Sequence, residues 1–141
     1  MEVQPQPPGS CDCGSLGLTD HMDIAACRQM VRRIAAGLGF SVLGQTMLVT
    51  AASELARNTI LHGGGGTFTW KVISAGAKRG VRLSFEDKGP GISDIRRAMT
   101  NGWSSGKGLG LGLPGARRLV NEFDITSAPG VGTRVVITCW R

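Results

Sequence analysis

The sequence predicts an α+β fold: a two-layer sandwich in which helices cover one face of a mixed sheet. Three observations predict it. Apolar residues recur at helical spacing across residues 23–37 and again across 41–62. Apolar and polar residues alternate at 68–72, 81–87 and 133–139. Glycine-rich turns then join these alternating runs in two hairpin-like pairs. At 141 residues the chain forms one domain with room for a real core.

Residues 1–19 are rich in proline, glycine and polar groups, and are expected to form a largely mobile tail ahead of a single domain at 20–141. A weakly signalled strand falls near Cys13–Thr19. The first firm helix runs from about Asp23 to Gly37. Ile24, Cys27, Val31 and Ile34 share its stripe, Arg28, Arg32 and Arg33 lie off it, and Asp23 is the candidate N-cap. Ser41 caps a second helix reaching about His62. Leu48, Ala52, Leu55 and Thr59 form its apolar strip, and Met47, Ala51, Glu54, Asn58 and His62 run alongside. Glu54 and Asn58 therefore lie one turn apart, where a carboxylate and an amide can converge on one cation or one proton. A solvated helix face is the alternative.

Gly63–Gly66 turn the chain into a strand in which Phe68, Trp70 and Val72 alternate with Thr67, Thr69 and Lys71. A turn at Ala77–Gly80 leads to the next strand, with Val81, Leu83 and Phe85 on one face. The same parity lands on Asp87, which places a carboxylate at the end of a buried face, where an unpaired charge is costly. A base offering an exocyclic amine would satisfy it. An ordinary turn aspartate in Asp-Lys-Gly-Pro-Gly is the alternative. Ser93 is a candidate cap for a short helix at Asp94–Met99, and a further helix is expected from Leu113 to about Glu122. Strands near Phe123–Thr126 and Thr133–Trp140 close the chain. In the last, Thr133 shares a face with Val135, Ile137 and Cys139.

Residues 104–115, Ser-Ser-Gly-Lys-Gly-Leu-Gly-Leu-Gly-Leu-Pro-Gly, are the most distinctive stretch. Glycines at 106, 108, 110 and 112 leave backbone N–H groups free to approach an anion, with Lys107 as the only charge. The helical pattern that follows would deliver those groups at a helix N-terminus, which suits a phosphate. An isolated glycine run also reads as a linker. Leucines between the glycines imply instead a segment that packs, and the length without periodicity reads as a lid. The run is not a Walker motif, since Gly-x-x-x-x-Gly-Lys-Ser/Thr is absent, nor a dinucleotide fingerprint.

The net charge of +6 and a pI near 9.8 come from dispersed arginines rather than a clustered basic stripe. Few aromatics stand outside apolar patterns, so nucleic acid is not expected; an acidic partner or a nucleotide is. No apolar run reaches membrane-spanning length, and Met1–Gly9 has neither the basic start nor the apolar middle of a signal peptide, so a cytoplasmic protein with no membrane partner is expected. Cys11 and Cys13 lack a second pair at metal-ligand spacing, and Cys27 and Cys139 fall at apolar positions.

Four segments in order carry a family resemblance: Glu54-Leu-Ala-Arg-Asn58, Asp87-Lys-Gly-Pro-Gly-Ile92, Gly106-Lys-Gly-Leu-Gly-Leu-Gly112 and Gly132-Thr133. They resemble the ATP-binding boxes of the gyrase, chaperone, histidine-kinase and mismatch-repair superfamily, the Bergerat fold. Within it the chain is most similar to the small anti-sigma-factor kinases of the RsbT switch type, over about Asp23 to Trp140. The resemblance implies ATP and Mg²⁺ as cofactors, with Asn58 on the metal and Glu54 as the base for an acceptor hydroxyl. It implies that Asp87 and Thr133 hold adenine and that Gly89 and Gly91 keep the purine pocket open. Gly106, Lys107, Gly108, Gly110 and Gly112 would wrap the phosphates. One departure stands out. Family members begin with an alternating strand, and Cys11–Thr19 carries little of that pattern.

The implied function is a protein-serine/threonine kinase acting on STAS-domain antagonist or stressosome scaffold proteins. It would work as a partner switch, with a PP2C-type phosphatase as alternate partner. A kinase that also sequesters a sigma subunit, as RsbW-type anti-sigma factors do, is one alternative. A non-catalytic ATP-gated binding module is another, and Glu54 argues against it.

Overall fold

The computed structural model describes residues 13–99 and 112–141, in the order β1 (Cys13–Leu18), α1 (His21–Gly37), α2 (Val42–Leu61), β2 (Gly66–Ala75), β3 (Lys78–Asp87), α3 (Ile95–Ala98), α4 (Gly112–Arg118), β4 (Glu122–Ala128) and β5 (Gly132–Trp140). The strands form one sheet in the order β1-β2-β3-β5-β4, and each neighbouring pair is antiparallel. The expected α+β sandwich is present, but its sheet is antiparallel rather than mixed. A single crossover helix would have made neighbours parallel. Here the chain leaves β1 through two helices packed on each other, returns to the end it left, and enters β2 running the other way.

Register explains how the core is stacked. Cross-strand partners share a face, so Leu16, Phe68, Phe85, Val135 and Ile125 line up in one row across the five strands. Gly14, Trp70, Leu83, Ile137 and Phe123 form the row beside it. Phe68 stacks on Phe85 with ring centroids 5.1 Å apart. This face is buried against Ile24, Cys27 and Val31 of α1 and Leu48, Ala52 and Leu55 of α2. Residues of the opposite parity, Thr67, Thr69, Lys71, Arg82, Glu86 and Arg134, are exposed. One covered face and one wet face is the usual antiparallel arrangement.

Several boundaries move for identifiable reasons. Strand β1 occupies Cys13–Leu18, where the sequence signals a strand only weakly. Its signal is faint because Gly14 and Gly17 replace side chains, and at Gly14 a Cβ would collide with the Trp70 indole. Helix α1 starts two residues earlier than expected, at His21, because Asp20 rather than Asp23 is the N-cap. Asp20 accepts from Met22 N–H at 2.9 Å, and Asp23 closes a capping box by accepting from Asp20 N–H at 3.2 Å. In the β2–β3 hairpin, Ala75 pairs directly with Lys78, so Gly76 and Ala77 make the turn, with φ 63° at Gly76. Asp94, not Ser93, caps α3 by accepting from Arg97 N–H at 3.0 Å. Helix α4 ends at Arg118, short of Glu122. Asn121 has already joined β5, donating its N–H to Thr138 O at 3.1 Å and accepting from Trp140 N–H at 2.8 Å.

Cys27 and Cys139 are buried as expected, and desolvation pushes the Cys27 thiol up to about 12. No helix among the described residues is long and apolar enough to cross a membrane.

Candidate functional site

Helix α2 supplies the first part of the site. Ser41 caps it, accepting from Gly44 N–H at 3.0 Å, and His62 is its C-cap. The expected cap and the helix-ending histidine both stand. Near its C-terminal end, Glu54 and Asn58 lie one turn apart, and both are partly buried. The Glu54 carboxylate meets the Arg57 guanidinium at 3.1 Å, with side chains 14% and 43% exposed. A pair this open contributes at most about 1 kcal/mol to stability. Its effect is to aim the carboxylate. The Asn58 carbonyl accepts from both His62 N–H at 2.9 Å and Gly63 N–H at 3.2 Å. Its side-chain amide has no hydrogen-bond partner among the described residues.

The turn after α2 runs straight into the end of β3. At Gly63 a Cβ would overlap the Asp87 carboxyl group, and at Gly89 a Cβ would stand 2.7 Å from the Gly63 backbone. Two glycines thus let three backbones close on one carboxylate. Asp87 lies on the same face as Val81, Leu83 and Phe85, as its parity requires. Its Oδ1 accepts from Gly89 N–H at 2.9 Å. The turn-forming role weighed from the sequence is therefore real, and it uses one oxygen. Among the described residues no cation pairs with the carboxylate.

Beyond the apolar rows comes a polar one. Leu18, Gly66, Asp87, Thr133 and Ser127 are successive cross-strand partners from β1 to β4. On β3, β5 and β4 the buried face therefore ends in a carboxylate and two hydroxyls at the same level. The loop after Asp87 is fastened over this row. Pro90 O accepts from Gly130 N–H at 2.8 Å, and Ile92 N–H donates to Ser127 Oγ at 2.7 Å. Between them Gly91, at φ 79°, lies so close to Ala128 O that no side chain fits. Such a row suits the hydrogen-donating edge of a flat heteroaromatic ring, because Asp87 Oδ2 has no donor among the described residues.

Four residues expected in the purine pocket, Asp87, Gly89, Gly91 and Thr133, are thus neighbours; Asn58 is tied to them through its carbonyl bond to Gly63 N–H, and Glu54 stands one turn before it on α2. Gly112 opens α4 with φ 44°. Gly106, Lys107, Gly108 and Gly110, and the segment expected to act as a lid, lie outside the described residues. Sequence reasoning missed Ser127. It shares the parity of Phe123 and Ile125, which is the signal that would have found it, but Ser-Ala-Pro-Gly reads as a turn.

Residues 44–141 match the family of histidine kinase-, DNA gyrase B- and HSP90-like ATPases. The chain belongs to that family. It is 44% identical over 118 residues to the serine/threonine-protein kinase RsbT of Bacillus subtilis (strain 168), covering 84% of this chain and 89% of that one. It is 31% identical over 117 residues to an anti-sigma F factor of Thermoanaerobacter sp. (strain X514), covering 79% and 80%. Among solved structures it resembles the RsbU and RsbW domains of Rv1364c from Mycobacterium tuberculosis. That match has a TM-score of 0.60 and 24% identity, and covers 91% of this chain and 33% of that longer one. The family match spans α2, the loop after β3, and β5, so all three parts of the site fall within it. The family is one of ATPases, so ATP is the cofactor the chain uses.

Proposed function

We propose that the chain is an ATP-dependent protein-serine/threonine kinase working as a partner switch. It transfers the γ-phosphoryl group to a Ser or Thr of a STAS-domain antagonist or stressosome scaffold protein in the cytoplasm, and a PP2C-type phosphatase is its alternate partner. The observation that carries the reading is the polar row closing an otherwise apolar sheet face, one turn of chain away from a helix bearing Glu54 and Asn58. Identity of 44% to a protein-serine/threonine kinase supports it.

Each residue has a role in this reading. The Asp87 carboxylate accepts from the adenine amine, Thr133 faces the same edge, and Gly89 and Gly91 keep the walls thin enough for a ring. Glu54, aimed by Arg57, takes the proton of the acceptor hydroxyl. The hydroxyl oxygen attacks the γ-phosphorus, and ADP leaves. The half-buried Asn58 amide, without a protein partner among the described residues, fits a hard divalent cation that takes few protein ligands. Mg²⁺ there would neutralise phosphate charge. Lys107 and glycines 106, 108, 110 and 112 serve the phosphates. A groove between α1 and α2, lined by His21, Arg28, Arg32 and Arg57, lies beside Glu54 and suits an acidic partner.

The test is phosphotransfer from Mg-ATP to a purified STAS partner. Transfer by the wild type and its loss in Glu54→Ala supports the reading, and no transfer to any STAS partner refutes it. The anti-sigma relative gives the sequestering alternative its footing. Stable co-purification with a sigma subunit would favour that alternative.

A further inference from the structure

Ser127 Oγ stands within hydrogen-bond distance of three groups: Ile92 N at 2.7 Å, Gly132 O at 2.9 Å and Thr133 Oγ1 at 2.9 Å. The directions follow from the number of protons. Ile92 N–H can only donate and Gly132 O can only accept. A serine hydroxyl has one proton, and Gly132 O takes it. The bond between the two hydroxyls is then satisfied only if Thr133 is the donor. Thr133 therefore turns its proton toward Ser127 and keeps a lone pair free at the level of Asp87, its cross-strand partner.

We infer that Ser127 is a positioning residue that fixes Thr133 as an acceptor and thereby makes this edge of the pocket select an amino-purine over an oxo-purine. This rests on the reading of the site as a purine nucleotide pocket. With Thr133 so fixed, the row offers two acceptors, the Asp87 carboxylate and the Thr133 hydroxyl. The exocyclic amine of adenine, with two N–H groups, matches two acceptors. The hypoxanthine edge offers one N–H and one carbonyl oxygen, so its oxygen faces a lone pair. Freed from Ser127, the Thr133 hydroxyl could rotate and donate to that carbonyl while N1–H reached Asp87. A site that leaves a ligand's polar group unmatched discriminates strongly against that ligand.

The experiment compares binding of ATP and inosine triphosphate, in the presence of Mg²⁺, to the full chain and to variants. Ser127→Ala is expected to raise affinity for inosine triphosphate and to lower the ATP preference about tenfold. Ser127→Thr, which keeps the hydroxyl, should retain the wild-type preference. In a Thr133→Val background, Ser127→Ala should change the preference no further. Equal weakening of both nucleotides by Ser127→Ala would overturn the inference, because a merely structural serine acts on both alike. If Ser127→Ala does not fold, Thr133→Val alone decides. Loss of ATP affinity with inosine triphosphate affinity retained supports an acceptor, and parallel loss of both overturns it. Failure of the wild type to bind ATP would overturn the pocket reading itself. ATP binding that Asp87→Asn weakens, with a preference indifferent to Ser127, would overturn this inference alone.

Discussion

Asp87, Thr133 and Ser127 each stand where their strand's alternation calls for an apolar side chain, and register brings all three to one level of the sheet. Asp87 and Thr133 were legible because they continue clear runs, Val81-Leu83-Phe85 and Val135-Ile137-Cys139. Ser127 was not, because its strand is short and its neighbours Pro129 and Gly130 carry a stronger turn signal. At Glu54 the chemistry is separable from binding. Glu54→Ala is expected to cut phosphotransfer by about 10²–10⁴ while leaving ATP affinity close to wild type, as single-turnover labelling beside a binding titration would read. The cysteines offer an independent check on burial. The Cys27 thiol, pushed to about 12, stays protonated at neutral pH, and burial raises Cys139 as well. A thiol reagent at pH 8 should modify exposed Cys13 in the native protein and reach Cys27 and Cys139 only on unfolding.

Among the elements, helices were the easiest to read and their ends the hardest. Helix α2 combines a strong apolar period with a serine cap, and the structure returns it nearly residue for residue. For α1 the competition between Asp20 and Asp23 was invisible in the sequence, since both are good caps and only the backbone geometry shows that they act as a pair. Asp20→Ala should destabilise the fold by about 1 kcal/mol, a fall in melting temperature of about 4 °C by calorimetry. The Asp23 carboxyl lies below its ordinary value of 3.8, chiefly through Thr19 N–H, then the Thr19 hydroxyl and Asp20 N–H. A lowered carboxyl contributes stability above its unfolded value and loses it as pH falls through the folded one. Melting temperature should therefore drop more steeply below pH 4 in the wild type than in Asp23→Asn. Strand β1 shows the opposite difficulty. Its alternation survives only as Leu16 and Leu18, because two of its residues are glycine and one of these, Gly14, makes room for Trp70.

At the scale of the molecule, a sheet with one apolar face must bury that face, and α1 and α2 do so up to the polar row. There helical cover gives way to the turn at Gly63 and the loop at 89–92, and the row they border holds the half-buried Asp87 carboxylate and the Thr133 hydroxyl, with Ser127 bonded behind it. The fold class followed from periodicity alone, and the site followed from breaks in periodicity, which is where a sequence departs from the needs of its core. The antiparallel order of the strands did not follow, because strand direction depends on how many helices intervene and how they pack. The central claim is that adenine sits against Asp87. Isothermal titration of Mg-ATP into the wild type and Asp87→Asn tests it most directly, with melting curves of both proteins without nucleotide as the control for folding. Asn keeps the oxygen that caps Gly89 and removes the charge, so the account predicts equal melting temperatures and an affinity about 10- to 100-fold weaker in Asp87→Asn. Equal ATP affinity in the two proteins would contradict it.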